Sequence, residues 1–162
     1  MANPEHVKIL QQGVEIWNQW RREQPDVHPD LSEIDIRRAQ LPGANLSHAN
    51  LRTAVLHEAN LQGADLEEAD LMYLADLTRA NLIDANLRRA SLIGTILEHS
   101  KLCGADLTGS KLILAKLAHA DLSRVRDSAM TGNQSRYHWI GEGCRLRVRD
   151  FITLQPEQLY VG

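Results

Sequence analysis

ANLQGADLEEADL, residues 59–71, sets Leu61, Leu66 and Leu71 five apart, with an Ala two places before each and Asn or Asp in between. A strand repeats every second residue and an α-helix every ~3.6, so a strict period of five belongs to neither. Followed outward in fives, the central position reads Leu31, Ile36, Leu41 and Leu46, then Leu51, Leu56, Leu61, Leu66 and Leu71. The phase slips by one residue within Met72–Leu74 and resumes at Leu77, running in fives to Leu122 and making nine units plus ten. A repeat of this length decides the fold before any other signal.

Each place in the unit has its own demand. Two residues before the centre, Ala stands in 14 of 19 units, the others being Pro29, Ile34, Thr95, Ser100 and Ser110, so the position requires a mostly small side chain. One residue before the centre, Asp or Asn stands in 12 of 19. Such side chains bond nearby backbone amides and hold turns. The two residues after the centre are mixed and mostly polar, as water-facing positions should be.

The pattern A-(D/N)-L-x-x, over about 95 of the 162 residues, resembles the pentapeptide-repeat family. The resemblance implies an all-β solenoid, a right-handed quadrilateral β-helix in which each unit forms one side of a square coil, with the central Leu and preceding Ala pointing inward. Four units close a turn, so residues about 20 apart stack at the strand spacing of about 4.8 Å, giving about five coils and a rod roughly 23 Å long. A narrow interior agrees with the aromatic residues: of seven, only Tyr73 lies in the repeat, at a position expected to face outward. The others flank the repeat, where bulky rings can cover exposed coil edges.

Three segments follow. Residues 1–28 read as an N-terminal α-helical cap: Asn3 is the N-cap, Pro4 the first helical residue and Glu5 acidic in the first turn, while Val7, Leu10, Val14 and Trp17 form one apolar stripe. That predicts one helix over 4–23, ended ahead of Pro25 and Pro29. Residues 29–124 are the repeat, and 125–162 a degenerate coil or capping tail.

The totals exclude several functions. With 18 basic and 21 acidic residues, net −3, the chain is no bare polybasic nucleic-acid or membrane binder. No apolar run is long enough for a signal peptide or a transmembrane span, which makes the cytoplasm the expected location. Cys103 and Cys144 are too few for a disulfide framework or zinc site and are read as reduced thiols.

Candidate chemistry is thin. The Asp and Asn ladders could pair carboxylates, but residues recurring every fifth position are explained by turns. His99 and His119, 20 apart at one repeat position, should stack; a zinc ion needs three or four ligands, and Glu98 and Lys116 beside them supply one ligand and one repellent charge. GEGC, residues 141–144, lacks the spacing of a P-loop and a Lys-Ser/Thr, and Cys144 has no base next to it in sequence, with His138 the nearest candidate. No cofactor or metal is expected.

Sorting outward residues by side gives a stronger signal. One side is polar in its first two coils and then presents Met72, Tyr73, Leu74, Ile93, Ile113 and Leu114, a candidate interaction patch where water is expected. Either the C-terminal tail folds over it or a partner does, including a second copy through this face or the cap. The next side, with Arg37, Arg38, His57, Glu58, Arg79, Glu98, His99 and His119, alternates in sign and reads as solvated.

The function expected is therefore a non-enzymatic protein-binding or scaffold module with no direct nucleic-acid contact. The resemblance is to the small helix-capped members abundant in cyanobacteria, of which one regulates heterocyst differentiation by protein contact and most have no assigned role, so it admits a regulatory role there without specifying one. The alternative it implies is a DNA-mimicking inhibitor of DNA gyrase, against which stand the 13 acidic and 10 basic side chains of residues 30–124, whose bases interrupt any phosphate-like row.

Overall fold

The structure, a computed structural model, describes residues 1–126; the tail reading, with GEGC, His138 and Cys144, falls on residues 127–162, outside the described residues. From residue 30 onward the chain winds in a four-sided coil. The residue before each centre forms a parallel bridge with its equivalent one turn later, from Asp30 with Asn50 to Asp106 with Arg126. From Leu31 to Leu107 the amide of each centre donates to the coil above, as Leu31 N to Asn50 O at 2.8 Å, and Asn50 N returns a bond to Pro29 O at 2.8 Å.

Five residues per side leave room for one bridge, because the turn consumes the rest. The contacts are accordingly isolated bridges, and the extended strands that an all-β solenoid suggests are replaced by single rungs joined by turns. The second residue after each centre has positive φ throughout, from Glu33 at 61° to Arg124 at 56°, with glycine only at some corners. One positive φ in third place suits a type II turn. At the other end of the unit all twelve Asp and Asn residues accept, through their side chain, the amide two residues on, as Asp30 Oδ1 from Ser32 N at 3.1 Å. The ladders are turn locks, repeated at each corner that has the residue.

Inside, the central Leu residues and the Ala residues before them are buried, Leu46 through Leu102 with no exposure at all. Each buried Leu contributes about 1.5–3 kcal/mol of transfer free energy. Ile36 differs from the expected inward pattern, being only partly buried with Ala39, since it lies in the first coil on a side the cap does not reach.

The extra residue is absorbed without disturbing the interior: Leu71 and Leu77 are both fully buried, and Val55 bridges Asp76, 21 residues on, where the earlier spacing is 20. Tyr73 and Leu74 both take positive φ, 61° and 67°. The insertion has a cost in hydrogen bonding. Of the nineteen central carbonyls, eighteen accept the amide three residues later, as Leu66 O does from Ala69 N at 3.0 Å, but Leu71 O receives no backbone amide. It accepts instead the hydroxyl of Thr95, fully buried in the next coil, at 2.7 Å.

The cap is two helices, α1 (Pro4–Leu10) and α2 (Val14–Glu23), where the stripe of apolar residues predicts one. Gly13 makes the break: its φ of 109° and ψ of 166° are open only to glycine, and its carbonyl accepts from Trp17 N to start α2. The start of α1 is as expected, with Asn3 accepting from Glu5 N at 2.9 Å. The break lets the pair bend onto the first coil and bond its open backbone edge. Asn3 N donates to Asp30 O (2.9 Å), Asp30 N to His6 Nδ1 (3.0 Å), and Trp17 Nε1 to Asn45 O (2.7 Å). Asn18 bonds both Gly43 O and Asn45 N. Buried Arg21 donates to the carbonyls of Val27 and Ser47; desolvation lowers its pKa, but these bonds keep the cation in place. The cap thereby covers the edge at two of the four sides, those of Asp30 and Asn45, against pairing with another chain.

Candidate interaction face

The turns between the bridge columns stack into ridges along the rod. One ridge is built of the turns after Leu51, Leu71, Leu92 and Leu112, joined by Thr53 N to Met72 O (3.2 Å), Tyr73 N to Ile93 O (3.3 Å) and Gly94 N to Ile113 O (2.9 Å). These bonds bring Met72, Tyr73, Leu74, Ile93, Ile113 and Leu114 together in one column. Among the described residues six large apolar side chains are exposed, and four belong to it: Tyr73 (57%), Leu74 (63%), Ile113 (58%) and Leu114 (62%). Met72 and Ile93 are half-buried between them. The inserted residue enlarges the ridge, since Leu74 has no counterpart in the other turns.

The ridge is bracketed on both sides by residues of the bridge columns. On one flank Asp70, Ser91 and Lys111 follow one another, and on the other Asp76, Ile96 and Lys116. At the lower end, Arg52 donates to Asp70 at 2.7 Å and lies 5.4 Å from the centre of the Tyr73 ring, a cation–π contact. At the upper end Lys111 and Lys116 are exposed on either side of Ile113 and Leu114. Sequence reading by sides found the apolar column but missed these brackets, which sit in a different place of the unit.

On the neighbouring side several charges are paired. Arg38 pairs with Glu58 at 2.7 Å and Arg79 reaches the same carboxylate at 3.6 Å. The Arg38 bond holds the Glu58 carboxyl below its usual range, and Arg89 does the same for Glu68. His99 and His119 stack as expected, ring centres 4.8 Å apart and nearly parallel. Among the described residues no three His, Cys, Asp or Glu side chains gather to hold a metal ion. Cys103 is half-buried, with Arg124 donating to its sulfur at 3.0 Å. Charge also changes along the rod: residues 30–71 carry 8 acidic and 3 basic side chains, and residues 72–126 carry 5 and 8.

A family model described as pentapeptide repeats matches residues 30–71, 72–109 and 97–126 in eight copies. The chain belongs to the pentapeptide-repeat family. Membership implies the right-handed quadrilateral β-helix, and the four bridge columns agree with it. A pentapeptide-repeat protein of the Arabidopsis thaliana thylakoid lumen is 30% identical, aligned over 63% of this chain and 72% of its own, with a TM-score of 0.59. HetL of the cyanobacterium Nostoc, a pentapeptide-repeat protein involved in the regulation of heterocyst differentiation, is 35% identical over 66% of this chain and 55% of its own, TM-score 0.39. A cyanobacterial pentapeptide-repeat protein from Cyanothece is 25% identical over 80% of this chain and 97% of its own, TM-score 0.37. Among curated protein sequences none matches the chain. No helix among the described residues is long and apolar enough to cross a membrane.

Proposed function

We propose that this pentapeptide-repeat protein is a non-enzymatic binding module that holds a protein partner on its apolar ridge. The observation that carries the reading is the gathering of Tyr73, Leu74, Ile113 and Leu114, exposed, on a scaffold whose other outward positions are mostly polar. Contiguous apolar surface on a rigid solenoid is what extended repeat proteins use to bind. The turn locks and charge pairs account for most of the Asp, Asn and Arg residues that a catalytic reading would need. A regulatory role in the cytoplasm of a cyanobacterium, suggested by likeness to HetL and its relatives, is part of the same proposal.

The test is affinity capture with the parent and with Ile93→Asp/Ile113→Asp, both shown folded by circular dichroism. A partner retained by the parent and lost by the variant supports the ridge; one held equally by both refutes it. The alternative of a gyrase inhibitor mimicking DNA needs an uninterrupted acidic row, which the basic excess of residues 72–126 breaks. Supercoiling by gyrase should therefore proceed unchanged at micromolar protein.

A further inference from the structure

The brackets of the ridge differ at its two ends, and the difference is ordered. Level with Met72 and Tyr73 they are Asp70 and Asp76; level with Ile93 they are uncharged; level with Ile113 and Leu114 they are Lys111 and Lys116. The ridge is thus apolar along its length, acidic-flanked below and basic-flanked above. We propose that its occupant is a second copy of this chain, packed ridge to ridge with the rods antiparallel. This rests on the reading of the ridge as a protein-binding surface and names the partner.

The geometry selects the arrangement. A two-fold axis lying in the interface, perpendicular to the rod and passing at Ile93, exchanges the ends of the ridge and keeps its flanks. Lys111 then meets Asp70 of the second copy, and Lys116 meets its Asp76, each twice by symmetry. Ile113 and Leu114 cover Met72 and Tyr73, and Ile93 meets itself. The parallel arrangement, with the axis along the rod, sets Lys111 against Lys116 and Asp70 against Asp76, and is repelled at both ends. An isologous contact requires such self-complementarity, and repulsion in the competing orientation supplies specificity. Asp70 Oδ2 accepts from Arg52 and Oδ1 from Met72 N, and each carboxylate oxygen keeps a further lone pair for the incoming lysine.

The outer turns of the ridge lie about 10 Å apart at the bridge spacing. That is a narrow strip beside the ~800 Å² per partner of a standard interface, which sets the association in the weak class. Self-association should appear at tens to hundreds of micromolar protein and weaken with salt.

The experiment is sedimentation velocity on the full 162-residue chain up to about 0.5 mM, with two charge-reversed variants, Lys111→Glu/Lys116→Glu and Asp70→Lys/Asp76→Lys. Lysine fits the second pair of positions, because Lys101, Lys111 and Lys116 occupy the same place in other units. In the first variant both ends are acidic and in the second both are basic, so each alone should dimerise at least tenfold more weakly than the parent. Mixed together they restore every opposite pair and should dimerise about as well as the parent. That rescue cannot arise from misfolding. A parent monomeric throughout, or a dimer insensitive to both variants and without rescue, overturns the inference. Protection of Tyr73 from hydroxyl radicals in dilute, monomeric parent would make residues 127–162 the occupant and overturn it too. Capture of another protein that needs Ile93 and Ile113, by a chain that stays monomeric, would sink the self-association and leave the binding reading standing.

Discussion

Thr95→Ala brings its unit into line with the family rule of Ala two places before the centre, and it should nevertheless damage the rod. The hydroxyl of Thr95 is the one hydrogen-bond donor that Leu71 O has, because the inserted residue removes the amide that serves the other eighteen central carbonyls. Without it a buried carbonyl is orphaned, at a cost of about 1–3 kcal/mol. The lost methyl adds roughly 1 kcal/mol, for a total of about 2–4 kcal/mol. Thr95→Val, which keeps the shape, should show the hydrogen-bond part alone. Two serines at the same place in the unit supply controls. Ser100 Oγ donates to Leu97 O at 2.7 Å, but that carbonyl also accepts Ser100 N, so Ser100→Ala leaves it satisfied and should cost under ~1 kcal/mol. Ser110 Oγ is buried without a partner among the described residues, and Ser110→Ala should be neutral or stabilising. The assay is urea denaturation followed by circular dichroism. Deleting Leu74 offers a coupling check, since it returns the amide of Ala75 to Leu71 O; combined with Thr95→Ala it should cost less than the two changes added. If Thr95→Val and Ser110→Ala had equal midpoints, the compensation would be an accident of geometry with no energetic role.

Leu87→Ala should destabilise by about 3–5 kcal/mol, since Leu87 is fully buried in a middle coil and backbone bonds to the coils on both sides prevent collapse; its thermal midpoint should fall further than that of Leu122→Ala, at the described end. Equal falls would contradict the stacked core. Asn3→Ala removes the bond to Glu5 N and should cost about 0.5–2 kcal/mol, read as a lower midpoint with the repeat's circular dichroism unchanged. Stability should also decline in acid. The Glu58 and Glu68 carboxyls, held low by Arg38 and Arg89, contribute in full above the unfolded carboxylate pKa of about 4.3 and cease to contribute as pH falls through their lower folded values. Melting temperatures should hold from pH 7 to about 5 and drop below about 4, less steeply in Glu58→Gln/Glu68→Gln.

The coil was legible because each place in the unit makes one demand on one residue type. Leu61, Ala64 and Asp65 are respectively a core filler, a small core residue and a turn lock, and those roles recur until the pattern is unmistakable. What escaped reading involves partners distant in sequence or conformations specific to one residue. Gly13 interrupts an apolar stripe that continues on both sides, so the period hides the break; glycine at the break was the available signal. Thr95 stood out as the single threonine at its place in the unit, yet its meaning depends on a carbonyl 24 residues earlier that loses its amide to the insertion. The Asp70–Lys111 and Asp76–Lys116 brackets become visible only once the sides are laid next to each other. The exposed ridge was found from the sequence because sorting by four sides already places Met72, Ile93 and Ile113 in one column.

The turn locks have a further consequence. Because Asp or Asn locks twelve of the nineteen corners through the amide two residues on, and Leu and Ala fill the inside, the two residues after each centre carry almost no instruction for folding. Glu, Arg, His, Thr, Tyr, Asp, Leu and Gly all occupy the positive-φ corner here. Those positions form a grid of side chains with a row about every 4.8 Å, which mutation can rewrite letter by letter while the frame beneath keeps its shape. A lineage built on this frame can exchange one partner for another by drift at the corners, and two chains with superimposable backbones can share no binding surface at all.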